Sequence, residues 1–571
     1  MGIMRAHHYL PAKIAVFSAL FAICCFVFIS DVFAAESKKE KRPGTEPGTL
    51  ATPTKIFTGR TSLPAPTSQV QSVVSKSAVV DPIEIEAGHV LRRIGFGPNK
   101  KDLKTYAKKG FASYINEQLN PNGISDGKAN KKMPKVPKSE DNIEDSDMIR
   151  RWYIRMIWTR RILQEKMTLI WHEHFSTSQE KVVSGALMLE HENNLRKYAL
   201  GNFRDFLIKM SQDQAMLIWL DNDYNRGDLY NLPTDTGQKP NENYAREFLQ
   251  LFSTGTTLLN IDGTPILDGS NNPIPAYTEE DILHVSLAMS GWNTPYPRRF
   301  NNVEFVSCIH NDDTKTLFAG DVGGGVVIPG HAECDPAGED ETTAVVDAVL
   351  TRRADTVAAF ISKMLIQKLV TETPDPAYVA AVATVFRDTN WNIKEAVRTI
   401  LNYSAEGVGG TPEILKAENI RSMHKEPIEY AIGAVRAFGA KTKDYELLDW
   451  TFDMGQLAYW PPSVFSFYPP GNKGALVSTA YVFIRDRVAD EYVRGWSDTY
   501  IQIEKLMSRN NLDTAEDAVA FLEEQMLAHP ISEPNRTTLL NYAGGATADI
   551  DDTKMRGLIW LVMTSPDYQR N

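Results

Sequence analysis

This sequence predicts a mostly α-helical protein: one large multi-helix body with small β-hairpin insertions and an irregular, glycine-rich loop. Three observations carry that expectation. Apolar residues recur at helical spacing over long stretches, as in 148–175, 203–219 and 342–370. The strand-then-helix alternation of a parallel α/β protein does not appear. Strand-like alternation of Thr, Leu and Ile, punctuated by Asp262-Gly263 and Asn271-Asn272-Pro273, is confined to 256–276, which reads as a small hairpin insertion.

The chain has 571 residues, 43% of them hydrophobic and 23% charged, an ordinary globular composition. At roughly 150 residues per domain, length alone allows three or four domains, but no internal repeat is visible. The net charge of −11 gives no basic footprint for nucleic acid. Residues 1–35 read as a signal peptide: Arg5, His7, His8 and Lys13 precede an apolar run over 14–29, and Val32-Phe33-Ala34 suits cleavage after Ala34 or Ala35. The run is shorter than the ~20 residues of a membrane span, so no stable membrane insertion is expected after cleavage. Residues 36–82, rich in Pro, Thr, Ser and Lys, read as a flexible linker. The body is then 83–571, with two lobes of about 83–340 and 341–571.

Within the body, Ala87 to Ile94 forms a short helix stopped by Gly95, Gly97 and Pro98. Helices follow over 100–109 and 111–119, then a charged, exposed loop over 122–145. Residues 148–175 read as one long helix with a wide apolar stripe, broken by Ser176-Thr177-Ser178. Further helices are predicted over 181–197, over 203–219 with Asn202 as its cap, and over 241–253 between Asn241 and Gly255. Thr278 and Asp281 make a capping box for the next helix, which runs to Ser290. Residues 300–335 are the irregular part, with Cys308, Cys334 and Gly323-Gly324-Gly325. Export leaves these two cysteines as an even pair, and a bridge between them would stabilise by roughly 3 kcal/mol. Helices resume over 342–370, 376–388, 392–403 and 425–438, and several more follow an aromatic, proline-rich stretch at 454–470.

Four clusters have residue types suited to chemistry. His172 and His174 stand two apart, which places them about 200° apart around a helix axis. They could share a metal only if the helix unwinds beyond Phe175; otherwise one is a core and the other a surface histidine. The helix from Asn241 packs Glu242, Asn243, Tyr244, Arg246 and Glu247 into a short run after a loop. Its i,i+4 pairs are either surface ion pairs or a buried network in which Arg246 holds a carboxylate, so that Glu242 or Glu247 works as acid or base. Asp221 and Asn222 close the preceding apolar helix and either end it or face the same cavity. His310, Asp312, Asp313 and Lys315 form a ligand set in the cysteine loop or an exposed turn.

These segments resemble one bacterial family, catalogued as domain of unknown function 1800. The resemblance runs from about Ala87 to Asp567. It rests on Leu91-Arg92-Arg93-Ile94-Gly95-Phe96-Gly97, Trp171-His172-x-His174-Phe175, Leu220-Asp221-Asn222, 241–247, 277–292, His310-x-Asp312 with Lys315, and Met454-Gly455-Gln456. After Pro461-Pro462-Ser463-Val464 the chain departs from the family, with Phe465-Ser466-Phe467-Tyr468 in place of a Gly-Trp pair. The resemblance implies an exported bacterial protein and a secreted, sulfatase-like partner protein.

Two classes of function stay open. One is an exported metal-dependent or acid–base enzyme acting on an envelope or extracellular substrate. Its metal ligands, for a divalent ion, would be His172, His174 and His310, and its catalytic groups Asp221, Glu242, Arg246 and Glu247. The other is a non-catalytic glycan- or protein-binding partner of a secreted enzyme, using Tyr459, Trp460, Phe465, Phe467 and Tyr468. A haem-dependent oxidase is a weaker alternative, since no Cys-x-x-Cys-His attachment motif is present.

Overall fold

The computed structural model describes residues 81–571 apart from 138–139, 231–239, 444, 468–477 and 528. The expected signal peptide, and the linker as far as residue 80, lie outside those residues. The described chain holds 23 α-helices and two two-stranded antiparallel sheets, so the mostly α class with small β-hairpins stands.

Local chemistry accounts for many helix ends. Asp81 accepts the Ile83 N–H and Pro82 opens the first helix, Pro82–Arg93. Asn99 accepts from both Lys101 N and Asp102 N at the start of Lys100–Lys109, and Gly110, at φ 72°, ends it. Asn202 caps Phe203–Ser211 through the Asp205 N–H, and Thr278 with Asp281 forms a reciprocal capping box at Glu279–Ala288.

The long helix predicted over 148–175 is two helices, Asp145–Trp158 and Ile162–Phe175. The break is made by a residue from the supposedly exposed loop. Asp126, only 8% exposed, accepts from Thr159 Oγ1 and from Arg160 N, each at 2.8 Å. Part of that loop is itself a short helix, Gly127–Lys132.

Strand structure sits mostly where irregularity was expected. Trp292–Asn293 pairs with Glu304–Phe305, and Lys315–Leu317 with Val326–Ile328. The predicted hairpin at 256–276 does fold back on itself, through Leu258 N to Ile274 O (2.8 Å) and Ile266 N to Leu258 O (2.8 Å). It shows only isolated bridges, at Thr257–Pro275, Leu259–Pro265 and Leu267–Pro273. Each bridge contains a proline, which has no N–H to continue a ladder.

Cys308 and Cys334 are disulfide-bonded, 26 positions apart, and close the segment between them. Replacing both by serine is expected to lower unfolding stability by roughly 3 kcal/mol, read from urea denaturation of the oxidised and variant proteins. An unchanged midpoint would mean the loop is held by its other contacts.

Two hydrophobic cores organise the body. The first joins residues between Ala87 and Phe252 to the helices from Glu341–Arg352 through Ile393–Asn402. The second joins Asp145–Trp158 and Gly185–Tyr198 to the C-terminal helices from Pro427–Phe438 onward. The cores therefore do not part near residue 340: each takes residues from both sides of it. The Ile162–Phe175 helix serves both, with Met167, Ile170, Trp171 and Phe175 in the first and Leu169 in the second. It lies along their seam.

Candidate functional site

The last turn of that seam helix carries His172, Glu173 and His174, and the three point to different surroundings. His172 is fully buried against Trp152, Tyr459 and Phe467. Its Nε2 accepts the Tyr459 N–H at 3.1 Å, and burial, aided by His191, pushes its pKa down to about 3. His174 packs against Trp171, Phe175 and Phe252, with Nε2 3.1 Å from Phe252 O, and burial lowers it to about 4. Both are neutral imidazoles held by packing. The helix does not unwind to bring them together, because Ser176 ends it in the left-handed conformation and its Oγ donates to Glu173 O at 2.6 Å.

His310, expected as the third metal ligand, is elsewhere. It is buried beside Phe305, with Nδ1 2.9 Å from Ser290 O. Among the described residues no three His, Cys, Asp or Glu side chains are placed to hold one ion. His310 and Lys315 do meet, but on Glu341 rather than on Asp312 or Asp313: Lys315 Nζ lies 2.6 Å and His310 Nε2 3.4 Å from Glu341 Oε2. This buried cluster pins the disulfide loop to the Glu341–Arg352 helix.

The run beginning at Asn241 is built for structure. Arg246 forms a two-pronged pair with Glu279 (2.8 and 3.0 Å) and a weaker one with Glu242 (3.5 Å), all at the surface. Arg246→Ala is expected to leave the melting temperature unchanged, since exposed ion pairs contribute little; a loss of several degrees would contradict that. Glu247 is half-buried and burial raises its pKa, with Arg246 opposing. Asp221 pairs with Lys181 at 2.6 Å, both more than a third exposed. The buried groups here are asparagines. Asn222 Nδ2 donates to Met289 O, Asn225 Nδ2 to Asn222 Oδ1 and Ser286 O, and Asn241 Nδ2 to Asp221 O. They tie three chain segments together through backbone groups that burial would otherwise leave unpaired.

The residue passed over, Glu173, is the one with unusual chemistry. Lys368, from the Ala354–Leu369 helix, reaches its carboxyl and also Glu426 Oε1, the latter at 3.0 Å. Gln456 Nε2 donates to Glu173 Oε1 and to Glu426 Oε2, each at 2.9 Å. The amide is oriented by Ile428 N–H, which donates to Gln456 Oε1 at 3.0 Å. Two carboxyl groups thus share one lysine and one amide. Burial, then the Glu426 carboxyl, push Glu173 up to about 8, with Lys368 opposing. Its place in the last turn, at the negative end of the helix dipole, acts in the same direction. Both causes favour the protonated form of Glu173 over the ionised one.

Beside it, Lys166 pairs with Glu429, both buried, and Glu429 Oε2 also accepts from Glu426 N (2.9 Å) and Asn571 Nδ2 (2.7 Å). A cavity lined by Arg93, Lys166, Lys368, Glu426 and Glu429 has about 10 Å³ of water-accessible space, room for one water molecule. Lys368, with 24% of its side chain exposed, is more open than Glu173 or Glu426.

The model of the family described as "Protein of unknown function (DUF1800)" matches residues 89–570. The chain belongs to that family. No curated protein and no solved structure matches it. Of the segments carrying the family likeness, 220–222, 241–247 and 277–292 hold the asparagine ties, and Gln456 bonds Glu426 and Glu173, which stands at the open position between the two motif histidines. Sequence reasoning missed Glu173, Lys368, Glu426, Glu429 and Lys166. Glu173 was in view between two histidines, and Gln456 within Met454-Gly455-Gln456, but no spacing links either to Lys368. A buried His–Asp pair, His191 Nδ1 to Asp213 Oδ1 at 2.9 Å, was also not singled out.

Proposed function

We propose that this DUF1800 protein is an exported acid–base enzyme whose catalytic pair is Glu173 and Glu426. The observation that carries the reading is the sharing of Lys368 and Gln456 by two buried carboxyls, which leaves one proton on the pair near neutral pH. Such a pair can deliver a proton with one carboxyl while the other, ionised, accepts one. Lys368 keeps the remaining negative charge in place. The water-sized space beside Glu426 would let a water reach the ionised carboxyl, and a substrate would approach from the side of Lys368. Export rests on the basic, apolar, small-residue pattern of 1–35, and the substrate is then an envelope or extracellular compound. Among the described residues no helix is long and apolar enough to cross a membrane.

The test is a carboxyl ¹³C NMR titration of the mature protein, paired with hydrolysis assays on ester, amide and glycoside probes. The reading predicts a carboxyl titrating near pH 8, absent from Glu173→Gln, and a rate lowered at least ~100-fold in that variant. No carboxyl titrating above pH 6, or full activity in Glu173→Gln, would sink it.

A second reading, a non-catalytic partner of a secreted sulfatase-like protein, keeps only part of the expected aromatic set. Tyr459 and Phe467 are core residues, 0% and 4% exposed, Trp460 is half-buried, Phe465 is 48% exposed, and Tyr468 lies outside the described residues. Phe483 and Trp496, at 71% and 82% exposed, are the side chains that favour it. Loss of a co-purifying envelope partner from Phe483→Ser/Trp496→Ser protein would support this reading over the first.

A further inference from the structure

The short pairing of 423–425 with 569–571 sets two reactive side chains on one face. Lys425 N donates to Gln569 O and Asn571 N to Met423 O, each at 2.8 Å, on either side of the antiparallel His424–Arg570 bridge. Lys425 and Asn571 are therefore diagonal neighbours on the same face of the pair, within reach of a long side chain. Both are buried, and both wall one cavity together with Arg92, Glu429 and Tyr568. The cavity has about 10 Å³ of water-accessible space, so the side chains around it stand close together.

Each group on this wall has a use in amide exchange. Lys425 Nζ donates to a carbonyl, Tyr568 O, at 2.7 Å and lies 3.4 Å from the centre of the Tyr568 ring. Burial, then the neighbouring Arg92, hold its pKa well below the ordinary value, which favours the uncharged amine, the nucleophilic form of lysine. Asn571 offers a side-chain amide, and its Nδ2 donates to Glu429 Oε2 at 2.7 Å. The Glu429 carboxylate also acts electrostatically on Lys425, so one acidic group serves both partners. Arg92 Nε and Nη1 are buried and find no hydrogen-bond partner among the described residues.

We propose that Lys425 Nζ and Asn571 Cγ join in an intramolecular isopeptide bond once the chain has folded, with Glu429 carrying the proton. The Nζ lone pair attacks Cγ, and Oδ1 takes up the negative charge of the tetrahedral intermediate, for which the unpaired Arg92 N–H groups are donors. Glu429, which pairs with Lys166, accepts the proton leaving Nζ and passes it to Nδ2, its existing hydrogen-bond partner. The Cγ–Nδ2 bond breaks, ammonia leaves, and an Nζ–Cγ amide remains. One amide replaces another, so the step needs no oxidant, reductant or cofactor. The N–H of the new amide takes the place of Nδ2–H toward Glu429. The bond clamps 569–571 onto the segment that leads through Glu426 into the Pro427–Phe438 helix. This inference does not rest on the acid–base reading, and its test does not read activity.

The experiment is intact-mass spectrometry of the purified, folded protein after reduction and denaturation, with tandem sequencing of its proteolytic peptides. The wild-type chain is expected to be lighter than its sequence by the mass of one ammonia, and to yield a branched peptide joining Lys425 to Asn571. Lys425→Met and Asn571→Ala proteins should each show the full mass of their own sequences and no branched peptide. A wild-type chain at full mass would overturn the proposal. So would loss of ammonia without the branched peptide, as from a succinimide at an asparagine. Loss of water in place of ammonia would put the bond on a carboxyl group rather than on the Asn571 amide, and would overturn it too. The wild-type measurements decide the matter even if a variant fails to fold.

Discussion

Lys166→Met is expected to destabilise the protein by about 3–5 kcal/mol. Both members of the Lys166–Glu429 pair are almost fully removed from water, at 5% and 7% side-chain exposure. Glu429 would keep its two other donors, Glu426 N and Asn571 Nδ2, but lose its directly paired lysine. The methionine stem fills the space of the lysine, so the loss reports charge rather than volume. Adding Glu429→Gln to the same chain removes the stranded charge and should restore most of the stability. Urea denaturation of the wild type and the two variants measures both steps. A single-variant loss under 1 kcal/mol would show that water reaches Glu429. The pair also sets a direction with pH. Coulombic attraction from Glu429 and Glu426 outweighs desolvation and raises Lys166 above its ordinary value. Its contribution is therefore full below the unfolded lysine pKa and is lost as pH rises through the folded one.

Glu173→Gln is expected to reshape the dependence of stability on pH. The unfolded glutamate titrates near 4.3, and the folded one is pushed up to about 8 by burial and by Glu426. Between those values the folded state binds a proton that the unfolded state has released. The stabilisation is thus fully present below the unfolded value and is lost as pH rises through about 8. Glutamine copies the protonated carboxyl in shape and can donate to Glu426 as it does. The variant should match the wild type near pH 5 and overtake it by pH 9, the difference growing by at most ~1.4 kcal/mol per pH unit. Parallel stability curves across that range would mean that Glu173 is ionised throughout, and the acid–base reading would fall with it.

Helix ends were legible where a short polar side chain or a glycine does the work locally. Asn202, and Thr278 with Asp281, act within a few residues of themselves. The break at Thr159 was not legible, because Asp126 makes it from more than 30 positions away. The hairpin at 256–276 was read correctly as a reversal but credited with more ladder than its prolines allow. Histidines and a dense polar run drew attention by residue type, and the structure sets His172, His174 and His310 in separate packed surroundings and splits the polar run into surface pairs and asparagine ties.

By itself the sequence determined the helical class, the placing of most helical stretches and the family likeness, because each depends on residues close along the chain; it did not show the breaks inside 148–175, 181–197, 203–219 and 342–370, each of which is two helices. The tertiary structure alone decided the chemistry. Glu173 meets Lys368 across 195 positions and Gln456 across 283. Burial at the seam of two cores, with the Glu426 carboxyl beside it, is what raises the pKa of an otherwise ordinary glutamate.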